Sequence, residues 1–592
     1  MHDPTTLGIW APPPIIARRS DTVPGRCALR YRKPVISGQE WRREGRDGGG
    51  RQLARKRNRR TIQAERRAGL LVLAGLIVPF ILFAARASRI GRWPSFDLRV
   101  PIELLILLVL VSLAPLAGGR WPRLLRWLAA VLLLPIAIIH LADVEGPAIL
   151  GRDLDLAADL DHVPSLIGLF AGAASPWQVI GAVLAAVLLP LGLIALIAWS
   201  LGALERGLSG LPWPVRLAPL VLLGAALVGG DRFVGQGTTA SIERQGETVA
   251  DAWRLAHGDR AGFLARLGPP PAIERDLSGL GRRDIYLIFF ESYGAVILDD
   301  PGLSPRALPA LARFQRTLTD AGLTIRSARI ASPTYGGGSW LAHGSVDAGT
   351  WLANQRLYQL EATTDRPTWP GIMTKAGWQS FDIQPGLKTP LDHAAFWGFD
   401  RIVGADDLKY DGPSFGWFGI PDQYALDQSL KLPRDPSRPL FAQIVLVSSH
   451  IPFHPVPPVV ADPADVGRFS THPEVARLVA TPPDWNDLAG PYMESVEYDL
   501  TVLADWLPRA LGDTGVAIIL GDHQPPALIG HASASHDVPI HIISKDAALV
   551  RRLADAGFVD GAVPTGEAGT MATLADRFLD AAAGMPAGTN PD

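Results

Sequence analysis

The chain has 592 residues and a formal net charge of −2. That length exceeds what one hydrophobic core supports, so two or more domains are expected, and the near-neutral balance gives no global reason to expect a nucleic-acid partner. The single cysteine, Cys27, excludes intrachain disulfides and thiolate zinc sites.

Charge is unevenly spread. Residues 1–67 are crowded with Arg and interrupted by Ala11-Pro12-Pro13-Pro14 and Gly48-Gly49-Gly50. Such a segment buries too little apolar surface to order itself and is read as a basic, disordered cytoplasmic tail beside anionic lipid. Arg18-Arg19 is not a twin-arginine signal, because no apolar stretch follows for about 50 residues. Five apolar segments come next, near 68–85, 100–117, 124–142, 178–201 and 211–230. Each approaches the roughly 20 residues that span hydrocarbon, so 68–230 is predicted to be an α-helical membrane domain with about five transmembrane helices. Pro212, Pro214 and Pro219 interrupt the start of the fifth.

The loops set the orientation. Arg120, Arg123 and Arg126 follow the second segment, and Arg206 and Arg216 the fourth. The loop after the third is acidic, with Asp143, Glu145, Asp153, Asp155, Asp159 and Asp161. Positive-inside counting then puts the N-terminus in the cytoplasm. Arg86, Arg89, Arg92 and Arg99 oppose this and are outnumbered by the N-terminal cluster. Five spans from that start place everything after residue 230 outside the cytoplasm.

Residues 231–282 are predicted to form a juxtamembrane helix and linker. Val249, Trp253, Ala256 and Phe263 recur at helical spacing, giving an amphipathic helix over 247–266 that lies on the bilayer or packs on the outer domain. Gly268-Pro269-Pro270-Pro271 ends it as a stiff spacer. Over 283–580, strand-like runs at 284–290, 324–330, 379–383, 441–447, 515–520 and 538–543 alternate with helical patterns at 306–321, 366–377, 421–430, 491–512 and 546–557. This alternation predicts an α/β domain, a parallel sheet with helices on both faces. Residues 581–592, rich in Ala, Gly and Pro, are read as a flexible tail.

In such a sheet ligands bind beyond the carboxyl ends of the strands. Glu291 follows the run Ile285–Phe290, Ser339 follows Gly336-Gly337-Gly338, and Asp522-His523 follows Val516–Gly521. Two carboxylates, an imidazole and a hydroxyl brought to one edge make a metal site with a built-in nucleophile. The glycines let backbone N–H groups approach an anion, and a helix Ser339–Ala348 would present its positive end to a phosphoryl group. His450 ends the run Ile444–Ser449 and is expected to bind a substrate oxygen or protonate a leaving group. His454, just beyond, and His536, before Asp537-Val538-Pro539, are further substrate-side candidates.

These motifs, in this order, resemble the alkaline phosphatase superfamily on its sulfatase-like branch. The layout of residues 68–560 resembles the lipoteichoic acid synthases and related phosphoglycerol and phosphoethanolamine transferases, in which membrane spans precede an extracytoplasmic catalytic domain. Phe290-Glu291-Ser292-Tyr293 is similar to the first metal motif, and Ser339 with Gly349 to the nucleophile helix and its closing glycine. Ser449-His450-Ile451-Pro452-Phe453 is similar to the substrate-histidine motif, Tyr492–Asp499 to the helix before the last metal strand, and Gly521-Asp522-His523 to the Asp-His metal pair. The resemblance implies one divalent ion (Mn²⁺, Zn²⁺ or Mg²⁺) on Glu291, Ser339, Asp522 and His523, with Ser339 as nucleophile. It also implies a plasma-membrane transferase that moves a head group from a membrane phospholipid donor to an envelope glycan or glycolipid acceptor, through a phospho-serine. A membrane-tethered phosphate or sulfate ester hydrolase is the alternative; a catalytically silent scaffold is opposed by the intact site residues.

Two departures qualify the match. Ser339-Trp340-Leu341-Ala342-His343 lacks the Pro and Arg that direct formylglycine formation in sulfatases. Gln384 stands where the synthases carry a further substrate histidine, leaving Lys388 or His393 to replace it. Thr334 is the next nucleophile candidate after Ser339.

Overall fold

A computed structural model of the chain describes residues 40–584 apart from 87–94, 97–99, 117–118, 151–153, 161–162, 164–166, 168–175, 230–233, 236, 259, 271–274, 463–464, 466–472 and 530–534. The predicted tail up to residue 39, the loop charges Arg89, Arg92, Arg99, Asp153 and Asp161, the spacer's Pro271 and the terminal 585–592 lie outside the described residues. The chain divides into two compact units, Met1–Arg67 and Ala68–Asp592.

All five apolar segments are helical: α1 (Glu40–Phe83), α2 (Ile102–Leu116), α3 (Arg123–Leu150), α4 (Pro176–Ser209) and, for the last, Trp213–Arg216 followed by α5 (Ala218–Gly229). They are not five equal spans. Asn58–Phe83, Arg123–Gly146 and Trp177–Ser209 are long and apolar enough to cross a membrane; Ile102–Ala114 and Trp213–Val228 are shorter. At 1.5 Å per residue α2 reaches only about 22 Å, against a hydrocarbon core of about 30 Å. The fifth segment breaks at Leu217 because Pro219 lacks the N–H that a continuous helix needs there.

The amphipathic segment also differs from its expected bounds. Its helix starts earlier, as α6 (Gly237–Ala256), and a second short helix covers Arg260–Arg266. Val249 and Trp253 are exposed, whereas Phe263 is buried in a small core with Leu341, Leu352 and Trp397. The distal part therefore packs on the outer domain. Arg356 adds a polar tie, donating to the Thr248 carbonyl and the Asp155 carboxylate.

The outer domain is built on one sheet of nine strands: β1 (Ile285–Phe290), β2 (Thr324–Ala331), β3 (Gln379–Ile383), β4 (Arg401–Val403), β5 (Leu440–Val445), β6 (Val516–Gly521), β7 (Asp537–Ser544), β8 (Val559–Asp560) and β9 (Glu567–Thr570). The order is β8-β2-β7-β6-β1-β5-β3-β4, with β9 also on β2. It is not the parallel sheet expected from the sequence: β7 runs antiparallel to both β6 and β2, and β8 antiparallel to β2. Along β1, Tyr286, Ile288 and Phe290 enter one core, with Ser304–Asp320 (α7) and Ala489–Leu511 against that face. Ile285, Leu287 and Phe289 enter the other, which includes residues of Trp369–Lys375, Ala547–Leu553 and Leu574–Ala583. Burial on both faces explains why the central strands read as unbroken apolar runs.

This topology creates the site edge. β1, β5 and β6 are mutually parallel, and β2 shares their direction because two antiparallel steps through β7 restore it. Their carboxyl ends therefore deliver Glu291, His450, Asp522 and the Ser332–Gly338 loop to one edge. β7 reaches the same edge by its amino end, with His536.

Candidate active site

The loop after β2 owes its shape to three glycines. Gly336, Gly337 and Gly338 have φ of 67°, 147° and 77°, a region that side chains rarely adopt. They turn the chain sharply into α8 (Ser339–Ala348). Gly521 serves close approach: a Cβ there would lie 1.9 Å from the Tyr293 carbonyl oxygen. Only glycine lets the turns after β1 and β6 meet.

Those turns bring together Glu291, Asp522 and His523, all buried, with one potential ligand atom from each within 4.8 Å of the others. His523 Nε2 lies 3.4 Å from Glu291 Oε1 and 3.6 Å from Asp522 Oδ2. The Ser339 hydroxyl donates to Glu291 Oε2 at 3.2 Å and lies 3.1 Å from His523 Nε2. All four residues expected at the metal are thus in one cluster.

The surroundings fix each ligand. Asp522 Oδ1 accepts from the N–H groups of Ser292 and His523, at 2.8 and 2.7 Å. Ser292 reaches it with φ of 54°, in the left-handed region. The Tyr492 hydroxyl holds the same turn by donating to the Ser292 carbonyl at 2.9 Å. His523 Nδ1 donates to the Gln524 carbonyl at 2.7 Å, so the neutral ring has its lone pair on Nε2, facing the carboxylates.

A divalent cation fits this donor set. Asp522 Oδ2 is buried without a hydrogen-bond partner, which is costly for a carboxylate that stays ionised. Burial and the Glu291 charge push the Asp522 carboxyl up to about 6. Burial opposes a charge on His523, and the Asp522 and Glu291 carboxylates outweigh it, raising its pKa. Because Asp522 must be ionised to hold a cation, metal affinity is expected to fall as the pH drops through about 6. Calorimetric titration of chelator-treated full-length protein with Zn²⁺ or Mn²⁺, at about pH 5 and about pH 7, checks this. Equal affinity at both would contradict it.

His450 stands beside the cluster on a loop fixed from two sides. The Ser449 hydroxyl donates to the Glu291 carbonyl at 2.7 Å. The buried Asp422 carboxylate accepts from the N–H groups of Val447 and Ser448 at 2.9 and 2.6 Å. Burial pushes the His450 imidazole down to about 4, and its Nδ1 donates to the Ile451 carbonyl at 2.7 Å. It is therefore neutral near pH 7 with a free acceptor at Nε2, which suits a base or hydrogen-bond acceptor better than the expected proton donor.

The remaining candidates are not drawn in. His454 Nε2 donates to the Thr481 carbonyl at 3.0 Å. His536 sits against Tyr335, with ring centroids 5.6 Å apart, and its carbonyl accepts the Ser332 N–H. Lys388 and His393 are exposed on the stretch after β3, and neither hydrogen-bonds to any member of the cluster. Thr334 is buried, and its hydroxyl donates to the Gly337 carbonyl.

One residue near the cluster was not foreseen. His343 Nε2 lies 4.0 Å from Asp522 Oδ2, and burial pushes its ring down to about 4. Its four-residue spacing from Ser339 on the predicted helix was the available signal.

No family model matches the chain, and no curated protein matches it. Solved structures give a partial likeness. The integral membrane protein lipooligosaccharide phosphoethanolamine transferase A (EptA) from Neisseria meningitidis is 13% identical, over 80% of this chain and 93% of its own, with a TM-score of 0.36. The lipoteichoic acid synthase LtaP from Listeria monocytogenes is 14% identical over 54% and 78%, with a TM-score of 0.34. The periplasmic C-terminal domain of EcEptC from Escherichia coli, in complex with Zn, is 17% identical over 54% and 88%, with a TM-score of 0.35. These likenesses assign no role to any residue here; the geometry above carries the chemistry.

Proposed function

We propose that the chain is a membrane-bound, metal-dependent phosphotransferase that moves a phospholipid head group to an envelope glycan or glycolipid. One observation carries the reading. A serine hydroxyl at the start of α8 lies within 3.2 Å of both a buried carboxylate and a bare imidazole nitrogen, beside a second carboxylate with an unpartnered oxygen. Glu291, Ser339, Asp522 and His523 would hold one divalent ion; three oxygens and one nitrogen suit Mn²⁺, Zn²⁺ or Mg²⁺. Bound there, it would acidify the Ser339 hydroxyl and polarise a phosphoryl oxygen.

The chain's own groups do the rest. The N-terminus of α8 favours the phosphoryl charge. Ser339 Oγ attacks phosphorus, and the bond to the diacylglycerol oxygen breaks, leaving the head group on the serine. Diacylglycerol departs with a proton. In the second step an acceptor hydroxyl attacks the phospho-serine, the bond to Ser339 Oγ breaks, and the neutral His450 can take the acceptor's proton at Nε2.

Product analysis with full-length protein and a phospholipid donor, with and without a glycan acceptor, tests the reading. A glycan-linked product is expected only with acceptor; free head-group phosphate in both arms would make the protein a hydrolase. An aryl phosphate or phosphodiester should be cleaved faster than the matching aryl sulfate, because Trp340-Leu341-Ala342-His343 offers no formylglycine signal. The reverse order would move the assignment to sulfatases. We place the site outside the cytoplasm: a reporter active only there should work when fused after residue 240 and stay silent after residue 120. The opposite pattern would put the site inside.

A further inference from the structure

Ser339, His343 and Asp347 lie at four-residue spacing and share one face of α8. At the far end of that face a second acidic pair is buried. Asp347 is 3% exposed, and Asp382, on β3, is 0% exposed. Gln443 Nε2 donates to both, at 3.3 Å each, and Gln384 Nε2 donates to Asp382 at 2.6 Å. Asp347 Oδ1 and Gln443 Oε1 are buried without a hydrogen-bond partner. Burial and the neighbouring Asp382 raise the Asp347 carboxyl well above its usual range, and burial pushes Asp382 up to about 7.

These groups line a small cleft of about 40 Å³, room for an ammonium tip and little more, whose other walls include Trp340, Tyr358 and Trp397. No Lys or Arg is among its described lining residues. His343 lines the same cleft and lies 4.0 Å from Asp522, so the cleft opens beside the metal cluster. Two desolvated carboxyls facing only amide donors hold protons unless a cation joins them. A neutral polyol would add hydrogen bonds without stabilising their ionised form. A cation with its own N–H donors would satisfy both, and aromatic rings attract such a cation. We propose that this cleft is a substrate subsite for a cationic nitrogen group, an ammonium carried by the donor head group or by the acceptor.

The inference rests on the head-group transfer proposed above, and two measurements separate them. The first is kcat/KM of the full-length protein on phosphatidylethanolamine and phosphatidylglycerol, each with an acceptor glycan that bears or lacks an amino group. The wild type should favour the ammonium-bearing donor or acceptor by about tenfold or more, the worth of one charge-assisted hydrogen bond. Asp347→Asn and Asp382→Asn, which keep shape and remove charge, should bring that ratio toward one. Equal rates on all four pairs, or a preference that survives in both variants, would overturn the subsite.

The second is calorimetric binding of ethanolamine to full-length Ser339→Ala, which requires no turnover. Binding that weakens about tenfold on adding Asp347→Asn or Asp382→Asn supports the subsite even if no head group is ever transferred. Absent binding, in protein whose melting temperature matches wild type, sinks the subsite while leaving the transferase reading intact.

Discussion

Ser339→Ala should give a folded protein that forms no phospho-enzyme and turns over on the order of 10³-fold more slowly or worse, as loss of a nucleophile from a cooperating site does. The expectation follows from the Ser339 hydroxyl's place, 3.2 Å from Glu291 and 3.1 Å from His523. Folding should survive, because this hydroxyl bonds to the side chains of Glu291 and His523 and does not cap α8, whose N-cap is Gly338. Mass spectrometry of Ser339 after incubation with defined phospholipids, alongside circular dichroism, separates chemistry from fold. Near-normal turnover in folded Ser339→Ala would remove it as nucleophile. Thr334 would be tested next, and its hydroxyl would first have to leave the Gly337 carbonyl.

Asp522→Asn should empty the metal site. The asparagine keeps an oxygen for the Ser292 and His523 N–H groups, and replaces the unpartnered Oδ2 with an amide nitrogen that cannot ligate. Bound metal should fall to background by elemental analysis, and activity should drop on the order of 10³-fold, because the nucleophile loses its activation. Asp522→Ala is less clean: it strands two buried N–H groups, at about 1–3 kcal/mol each. His450→Ala should also lose turnover but keep the metal. An Asp522→Asn protein with full metal content and full rate would end the assignment.

The sequence by itself determined the parts of this protein whose constraints are local. β1, β5 and β6 were legible because burial on both faces demands continuous apolar residues. The turn into α8 was legible because only glycine takes three successive positive φ values. Gly521-Asp522-His523 stood out because a tight turn directly after a buried strand exposes its next side chains at the sheet edge. What depends on distant pairing was decided by the tertiary structure. β4, β8 and β9 are three, two and four residues long, too short for any periodicity to show. The antiparallel course of β7 depends on which neighbours it finds, and its own apolar run would serve either direction. Lys388 and His393 had suitable chemistry and ended exposed, while His343 came within 4.0 Å of Asp522 because a helical turn carries it there. Asp347 and Asp382 lie on separate elements, and only their packing around Gln443 makes them a pair. Periodicity records which face of an element is buried; which side chains meet there is set by long-range packing.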